Sequence, residues 1–193
     1  MKEQEILDIL AEAGVLLQGH FLLTSGKHSN KYLQCAKIFR NAKFSEPLCN
    51  CLAEKFKNLG TDTVIGPAMG AVQMAYEVGK QLGVDNYFTE RVDGEMCLRR
   101  GFTVIPGQKF VVVEDVITTG GSVAEVIEVI KEAGGIVAAV GVIVNRSGRK
   151  DFDGIPLYSV IEVDVEAYEP ESCPLCKEGK IELVKPGSRV VKN

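Results

Sequence analysis

Short apolar runs and longer amphipathic stretches alternate along most of the chain. Apolar residues recur at helical spacing in four stretches, which predicts helices over residues 1–13, 44–59, 70–82 and 123–133. Between them, runs rich in valine and isoleucine predict buried strands at 63–66, 111–113 and 136–144. Strands that alternate with helices predict an α/β fold with an open, mostly parallel sheet flanked by helices.

The N-terminal part departs from that alternation. Apolar runs on either side of the polar residues 24–30 predict a strand, a loop and a second strand. Residues 89–102 are polar and have little helical or strand periodicity, which predicts an irregular segment. The first helix is expected to bury Ile6, Leu7, Leu10 and Ala13. We expect a single domain over 1–193, made of an N-terminal helix and small hood (1–45), a core (46–165) and a C-terminal tail (166–193).

Composition narrows the class of protein. The chain has 193 residues, 46% of them hydrophobic, and no apolar run approaches the ~20 residues of a membrane-spanning helix. Acidic residues throughout 1–13 exclude a secretory signal peptide, which would be basic and then uniformly apolar. The net charge of −4 argues against a nucleic-acid partner, and six scattered cysteines indicate reduced thiols. We therefore expect a cytoplasmic protein that contacts neither nucleic acid nor membrane.

The most informative segment is VVVEDVITTGGS at 111–122. Glu114 and Asp115 follow the three valines where the strand is expected to end, and a loop of hydroxyl residues and glycines then leads into a helix. Clustered backbone N–H groups and the positive end of a helix dipole suit a phosphate. The two carboxylates would repel a phosphate but suit sugar hydroxyls or a bridging metal. The segment therefore predicts a site for a sugar phosphate.

Three other interpretations of the chain's glycine-containing segments have less support. An ordinary strand–turn–helix needs one glycine and a cap, rather than five loop residues of this kind. A Walker phosphate loop is excluded because Gly26 and Lys27 are followed by His28 instead of Ser or Thr. No GxGxxG sequence follows a predicted strand, so a dinucleotide-binding fold lacks its fingerprint.

The segment resembles the phosphoribosyl-diphosphate motif of the type I phosphoribosyltransferases, in which four hydrophobic residues, two acidic residues and a Thr/Gly-rich loop follow one another. Other parts of the chain resemble the orotate phosphoribosyltransferases: FLLTSGKHS at 21–29 with Tyr32, GPAMGA at 66–71, and Arg146. The resemblance covers about residues 16–147. It implies that orotate and 5-phosphoribosyl 1-diphosphate (PRPP) give orotidine 5′-monophosphate and diphosphate, with Mg²⁺ as cofactor. Mg²⁺ needs few direct protein ligands, so no metal-ligating residue is assigned.

The resemblance also implies roles for individual residues. Glu114 and Asp115 would hold the ribose hydroxyls, directly or through water on the metal. Arg91 would lie on a mobile loop that reaches the diphosphate site of the other subunit in a homodimer. Arg146 offers a planar guanidinium to the orotate carboxylate. The other residues expected near the base are Ser25, Gly26 and Thr118, and those expected on PRPP are Val116, Ile117, Thr118, Thr119, Gly120, Gly121 and Ser122.

The chain departs from the resemblance at three places. Thr24 stands where many members carry a lysine, and residues 69–71 contain no lysine where many members have one. Residues 90–100, which correspond to the mobile loop, contain neither lysine nor histidine. We expect arginines to stand in for the usual lysines, and the candidates in this segment are Arg91, Arg99 and Arg100.

Cys173 and Cys176 have the spacing of half a zinc ribbon. No second pair follows in the tail, although two copies meeting at a dimer interface would complete a set of four ligands. The favoured interpretation is a proline-containing turn with two reduced thiols. His28 is assigned to the hood over the base, and His20 is assigned no role. Small core or surface positions are expected for Cys35, Cys49, Cys51 and Cys97.

Two other functions stay open at this point. A phosphoribosyltransferase for another base would share the motif, but purine enzymes usually place an aromatic residue near the last core strand, where this chain offers Arg146. A regulator that senses PRPP without catalysis would tolerate the missing lysines. Against it, the sequence shows no appended DNA-binding domain and no basic surface for RNA.

Overall fold

The computed structural model describes residues 1–23 and 25–186, so Thr24 and residues 187–193 lie outside the described residues. The helices of the described part are α1 (Glu3–Glu12), α2 (Ala42–Phe56), α3 (Val72–Leu82), α4 (Gly121–Glu132) and α5 (Pro174–Glu178). Its strands are β1 (Leu16–Leu22), β2 (His28–Leu33), β3 (Thr63–Pro67), β4 (Asp85–Val92), β5 (Glu95–Leu98), β6 (Lys109–Ile117), β7 (Ile136–Asn145), β8 (Asp151–Phe152), β9 (Ile155–Glu162) and β10 (Leu183–Val184). Two 3₁₀ turns cover Cys35–Arg40 and Pro170–Ser172.

Seven strands form the central sheet in the order β5-β4-β3-β6-β7-β9-β8. The five inner strands run parallel to their neighbours, and the short edge strands β5 and β8 are antiparallel. Successive side chains of β6 point to opposite faces, because the side-chain period of a strand is two. Val111 and Val113 therefore join the core under α1, α2 and α3, while Phe110 and Val112 join the core under α4. This architecture confirms the predicted α/β fold.

A second, three-stranded sheet forms the hood, in the order β10-β1-β2. β1 and β2 are antiparallel, as the apolar runs around residues 24–30 predict, and the C-terminal strand β10 pairs in parallel with β1. The end of the described chain therefore lies against the N-terminal hairpin. None of the described helices has the length and apolarity to cross a membrane.

Four sequence-based expectations need correction. Leu7 is 41% exposed, because Ile6 and Leu10 face the core and Leu7 is turned away from it. β6 continues through the acidic pair to Ile117, so Glu114 and Asp115 lie on a strand and not beyond its end. β7 is not the last strand, since β9 pairs with it in parallel. Pro174 begins the short helix α5 where a turn was expected.

A further correction concerns residues 89–102, which the sequence predicts to be irregular. β4 and β5 form a hairpin there, with Arg91 opposite Met96 and Val92 opposite Glu95. Asp93 and Gly94 connect the strands with φ values of 53° and 93°, and two positive φ values are what a type I′ hairpin turn requires. The Asp-Gly pair was the available signal for this hairpin, and the weak alternation of the flanking residues concealed it.

Candidate active site

The loop at 118–122 and the first turn of α4 form one wall of a cavity of about 420 Å³. All five predicted loop residues line it: Thr118, Thr119, Gly120, Gly121 and Ser122. Gly120 is the residue before the helix, and its φ of +82° is a left-handed conformation that favours glycine. A Cβ atom at Gly120 would also lie 2.8 Å from the ring of Phe152. The first turn of a helix leaves backbone N–H groups without intrahelical partners, and such groups beside a cavity suit an anion.

The acidic pair lies between this cavity and a second one. Asp115 is only 9% exposed, and its Oδ1 accepts a hydrogen bond of 2.8 Å from the N–H of Val116. Its own N–H donates to Oε1 of Glu114 at 3.2 Å. Burial raises the pKa of the Asp115 carboxyl, although its hydrogen bonds with Glu114 and Val116 act in the opposite direction. A cation or a hydroxyl donor at this point would favour the charged carboxylate.

The second cavity, of about 320 Å³, is lined by the loop at 67–70 together with Arg91, Met96 and the acidic pair. It shares Glu114, Val116 and Ser122 with the first cavity, so the two adjoin. Close packing holds the loop there: a Cβ atom at Gly66 would lie 2.5 Å from Cβ of Ala71 and 2.8 Å from the carbonyl oxygen of Val113. At Gly70 a Cβ atom would lie 3.4 Å from both carboxylate oxygens of Asp115.

Arg146 lies at the carboxyl end of β7 and lines the first cavity. Its backbone N–H donates to the carbonyl of Ile117 at 2.9 Å, which fixes its position beside the loop at 118–122. Its Nε is buried and has no hydrogen-bond partner among the described residues. Desolvation lowers the pKa of this guanidinium, and the ionisable groups of Cys35, Tyr32 and Asp164 act in the opposite direction. A half-buried guanidinium whose Nε lacks a partner among the described residues, in a cavity wall, is suited to an anionic ligand.

The hood contributes only part of what was expected. Ser25 lines the first cavity, but Gly26 lines neither cavity, and a Cβ atom there would have nothing within 4 Å. His28 begins β2 and so lies in the hood as expected, but it is buried and lines neither cavity. Four other hood residues, for which the sequence indicated no role, also line the first cavity: Leu22, Leu23, Tyr32 and Leu33.

The arginines of residues 90–100 separate into two groups. Arg91 lines the second cavity of its own chain, where its Nη2 lies 2.6 Å from Oε2 of Glu125. Arg100 donates to Glu90 at 3.0 Å, and Arg99 lies 3.8 Å from the same carboxylate. The hydrogen bond from Arg100 lowers the pKa of Glu90. Only Arg91 of these three therefore contributes to the cavities of the described chain.

The cysteines expected in the core or at the surface are free thiols. Burial raises the pKa of Cys35 and raises that of Cys49 to about 12, so neither is a thiolate near neutral pH. Cys51 and Cys97 are half-buried and donate to backbone carbonyls. Cys35 and Cys49 therefore occupy core positions, and Cys51 and Cys97 lie partly exposed, as expected.

Comparisons with known proteins agree with this geometry. The model of the phosphoribosyl transferase domain matches residues 45–173. An orotate phosphoribosyltransferase from Desulforamulus reducens is 53% identical over 99% of this chain and 100% of its own, and one from Thermoanaerobacter sp. is 55% identical over 98% and 99%. The crystal structure of orotate phosphoribosyltransferase from Aeropyrum pernix superposes with a TM-score of 0.68 at 26% identity, covering 82% of this chain and 93% of that one. The chain therefore belongs to the phosphoribosyltransferase family and, within it, to the orotate phosphoribosyltransferases.

Proposed function

We propose that this chain transfers the phosphoribosyl group of PRPP to orotate, giving orotidine 5′-monophosphate and diphosphate, a step of pyrimidine nucleotide synthesis. The observation that carries the choice of base is Arg146, whose buried Nε lacks a partner among the described residues in the wall of the 420 Å³ cavity. Orotate is a pyrimidine that carries a carboxylate, and a planar guanidinium binds a carboxylate through two parallel hydrogen bonds.

The two adjoining cavities suggest how PRPP lies in the site. Its 5′-phosphate would bind the N–H groups of the loop at 118–122. Its ribose hydroxyls would bind Glu114 and Asp115 at the junction of the cavities. Its diphosphate would extend into the second cavity, toward Arg91 and the loop at 67–70. Orotate then occupies the space between Arg146 and the hood.

This placement brings the reacting atoms together. N1 of orotate, after losing its proton, forms a bond to C1′ of the ribose while the bond from C1′ to the diphosphate oxygen breaks, and the electron pair leaves with the diphosphate. Positive charge develops on the ribose during this displacement, and Glu114 and Asp115 lie where they stabilise it. Holding base and sugar in one orientation supplies much of the remaining rate enhancement.

We also propose that Mg²⁺ is the cofactor. The residues at the junction fit it, because a hard cation prefers oxygen ligands and Glu114 and Asp115 supply carboxylates there. A cation would also offset the burial that raises the pKa of Asp115. Glu114 and Asp115 would hold the ion directly or through water, and the ion would supply positive charge to offset the charge of the diphosphate leaving group.

Three further parts of the proposal concern the setting of the reaction. We keep the prediction that the chain works as a homodimer, because C₂ dimers are the commonest closed oligomers. The free thiols are those of a protein that works in the reducing cytoplasm. The substrates are the small molecules orotate and PRPP, with no nucleic acid or membrane as partner.

One assay tests the function against both alternatives. Purified protein is mixed with PRPP and Mg²⁺, and the loss of orotate absorbance is followed beside parallel reactions with uracil, adenine and hypoxanthine. Orotate alone should react. Reaction with another base and not with orotate would assign a different phosphoribosyltransferase, and PRPP binding without turnover of any base would favour the sensor.

A further inference from the structure

Four metal-ligating side chains meet in the hood, outside both cavities. His20 lies on β1 and His28 begins β2, whereas Cys173 follows the second 3₁₀ turn and Cys176 lies in α5. One ligand atom of each lies within 4.8 Å of all the others. His20, His28 and Cys173 are buried, and Cys176 is the exposed member. The two histidines of the N-terminal hairpin thus complete a set of four ligands with the two cysteines. The set lies within one chain, so no second copy of the chain is needed to complete it.

Four of the six distances between the ligand atoms match those of a tetrahedral metal centre, and the other two are within 4.8 Å. Nε2 of His20 lies 3.1 Å from Nδ1 of His28, 3.6 Å from Sγ of Cys173 and 3.7 Å from Sγ of Cys176. Sγ of Cys176 lies 3.2 Å from Nδ1 of His28. Zinc bonds of about 2.3 Å to sulfur and about 2.05 Å to nitrogen place tetrahedral ligands about 3.4 Å (N to N) and about 3.6 Å (S to N) apart. The four distances lie within about 0.4 Å of these values.

Hydrogen bonding alone does not explain the cluster. Nδ1 of His20 lies 3.1 Å from the carbonyl oxygen of Ile181, which only accepts hydrogen bonds, so Nδ1 carries the proton and Nε2 presents a lone pair. That single lone pair faces three groups at once, namely Nδ1 of His28 and the two thiols. One cation at the centre would bind all four ligand atoms at once. A backbone carbonyl that orients the other ring nitrogen is also the usual support of a metal-bound histidine.

We propose that His20, His28, Cys173 and Cys176 bind one zinc ion. Two nitrogen and two sulfur ligands in tetrahedral arrangement select zinc, and two thiolates with two neutral imidazoles balance its charge. Four protein ligands leave no open position, so the ion is structural. It is distinct from the proposed Mg²⁺ site, because none of the four ligands lines either cavity.

The proposed ion fastens the C-terminal segment to the hairpin that covers the active site. The two histidines bracket the loop between β1 and β2, which contributes Leu23 and Ser25 to the first cavity. The same segments already meet through reciprocal backbone hydrogen bonds of 2.8 Å between His28 and Tyr168. Ser29 adds a hydrogen bond of 2.8 Å to the carbonyl of Glu166. The zinc therefore holds the loop over the base-binding space.

Metal analysis of the untagged wild-type chain, purified under reducing conditions, is the first test. It should contain about one zinc per chain. Replacement of the metal by Co²⁺ should give the intense visible bands of tetrahedral cobalt with a thiolate charge-transfer band. A weak octahedral cobalt spectrum would overturn the proposal. So would a reduced chain that takes up no zinc, or one that mass spectrometry shows with a Cys173–Cys176 disulfide in its place.

Matched cysteine variants locate the metal. Cys173→Ser with Cys176→Ser should lose the zinc, whereas the control Cys51→Ser with Cys97→Ser, which changes two half-buried thiols elsewhere, should keep it. Chelation of the wild-type metal should lower Tm by about 5–10 °C and leave the Tm of the first variant unchanged. Equal zinc content in the two variants would overturn the assignment.

A kinetic measurement tests the role of the ion. Loss of zinc should raise the KM for orotate by about tenfold with a smaller change in kcat, since the loop over the base is loosened while the phosphate loop is untouched. An unchanged KM for orotate in zinc-free enzyme would refute the role in the hood. Metal content and the cobalt spectrum are measured without substrates, so failure of the proposed orotate reaction would leave the test of the site intact.

Discussion

Removal of the Arg146 side chain is the sharpest test of the proposed base-binding site. Arg146→Ala keeps the backbone N–H that joins residue 146 to Ile117, so the phosphate loop should keep its position. What the variant loses is the guanidinium whose Nε is buried without a partner among the described residues. The change therefore removes a ligand contact with little effect on the fold.

The expected magnitude follows from the burial of this residue. Removing one partner of a desolvated charge pair typically costs about 2–5 kcal/mol. Arg146 is half-buried, and solvent screens a pair that it can reach, so we expect the lower part of that range, about 2–3 kcal/mol. At about 1.4 kcal/mol per tenfold change, orotate binding should weaken by about 30- to 160-fold. PRPP binding should change by less than about threefold, because contacts at separate sites contribute nearly independently to the free energy of binding.

Calorimetric titration of each ligand measures the two affinities separately. Arg149→Ala is the matched control, because Arg149 lies three residues further along and stacks over Phe152 at 5.3 Å, but lines neither cavity. Uracil is the matched ligand, since it is the same ring without the carboxylate, and its weak binding should not change in Arg146→Ala. Equal losses for orotate and PRPP, or an equal effect of Arg149→Ala, would refute the carboxylate contact.

Four further predictions test the rest of the site. Asp115→Asn should lower kcat/KM by about 10²-fold, or roughly 2.7 kcal/mol. The same variant should keep or raise Tm, because burial raises the pKa of this carboxyl and its charge therefore disfavours the folded state near neutral pH. A lower Tm in thermal unfolding would contradict that reasoning. Excess chelator in the orotate assay should abolish turnover, and full turnover without divalent metal would disprove the role of Mg²⁺. Gly66→Ala should lower Tm and kcat/KM, because its Cβ would lie 2.5 Å from Ala71, whereas Gly83→Ala, with open space around its Cβ, should affect Tm alone. Dimers mixed from Arg91→Ala and Asp115→Asn subunits should stay inactive if Arg91 acts in the cavity of its own chain. Recovery of about a quarter of wild-type activity would instead show that Arg91 acts in the partner's site, as the resemblance implies.

The parts of the site that could be predicted from the sequence are those encoded in one continuous segment. The strand, acidic pair, loop and helix at 109–132 follow one another along the chain, and local propensity and periodicity are enough to identify them. Arg146 could be placed as well, because the carboxyl ends of parallel strands meet at one edge of the sheet. The end of β6 was misjudged, since two charged residues suggested a boundary that pairing with β7 overrides.

The parts that could not be predicted depend on contacts between distant segments. His20 and Cys173 are separated by 153 positions, and a lone histidine in a strand carries no signal of its ligand role until the tail is placed against it. The two-residue strand β8 and the exposed strand β10 are too short for periodicity to reveal. Tyr32 lines the same cavity as the distant loop at 118–122, and its resemblance to a family position was the one available signal.

The charges that line the two cavities indicate what must compensate for the absence of lysines at residues 69–71 and 90–100. Among the described residues, the charged side chains that line the cavities are Arg91, Arg146, Glu114 and Asp115, so their formal charges (two positive, two negative) sum to zero. PRPP nevertheless carries phosphate groups at both ends of the ribose. Backbone N–H groups at the start of α4 can offset charge on the 5′-phosphate. In the part of the chain that the structure describes, the cationic side chain of the second cavity is Arg91 alone, and it also pairs with Glu125. Binding of the diphosphate in this chain should therefore depend more strongly on Mg²⁺ than it would beside a loop that carries lysines.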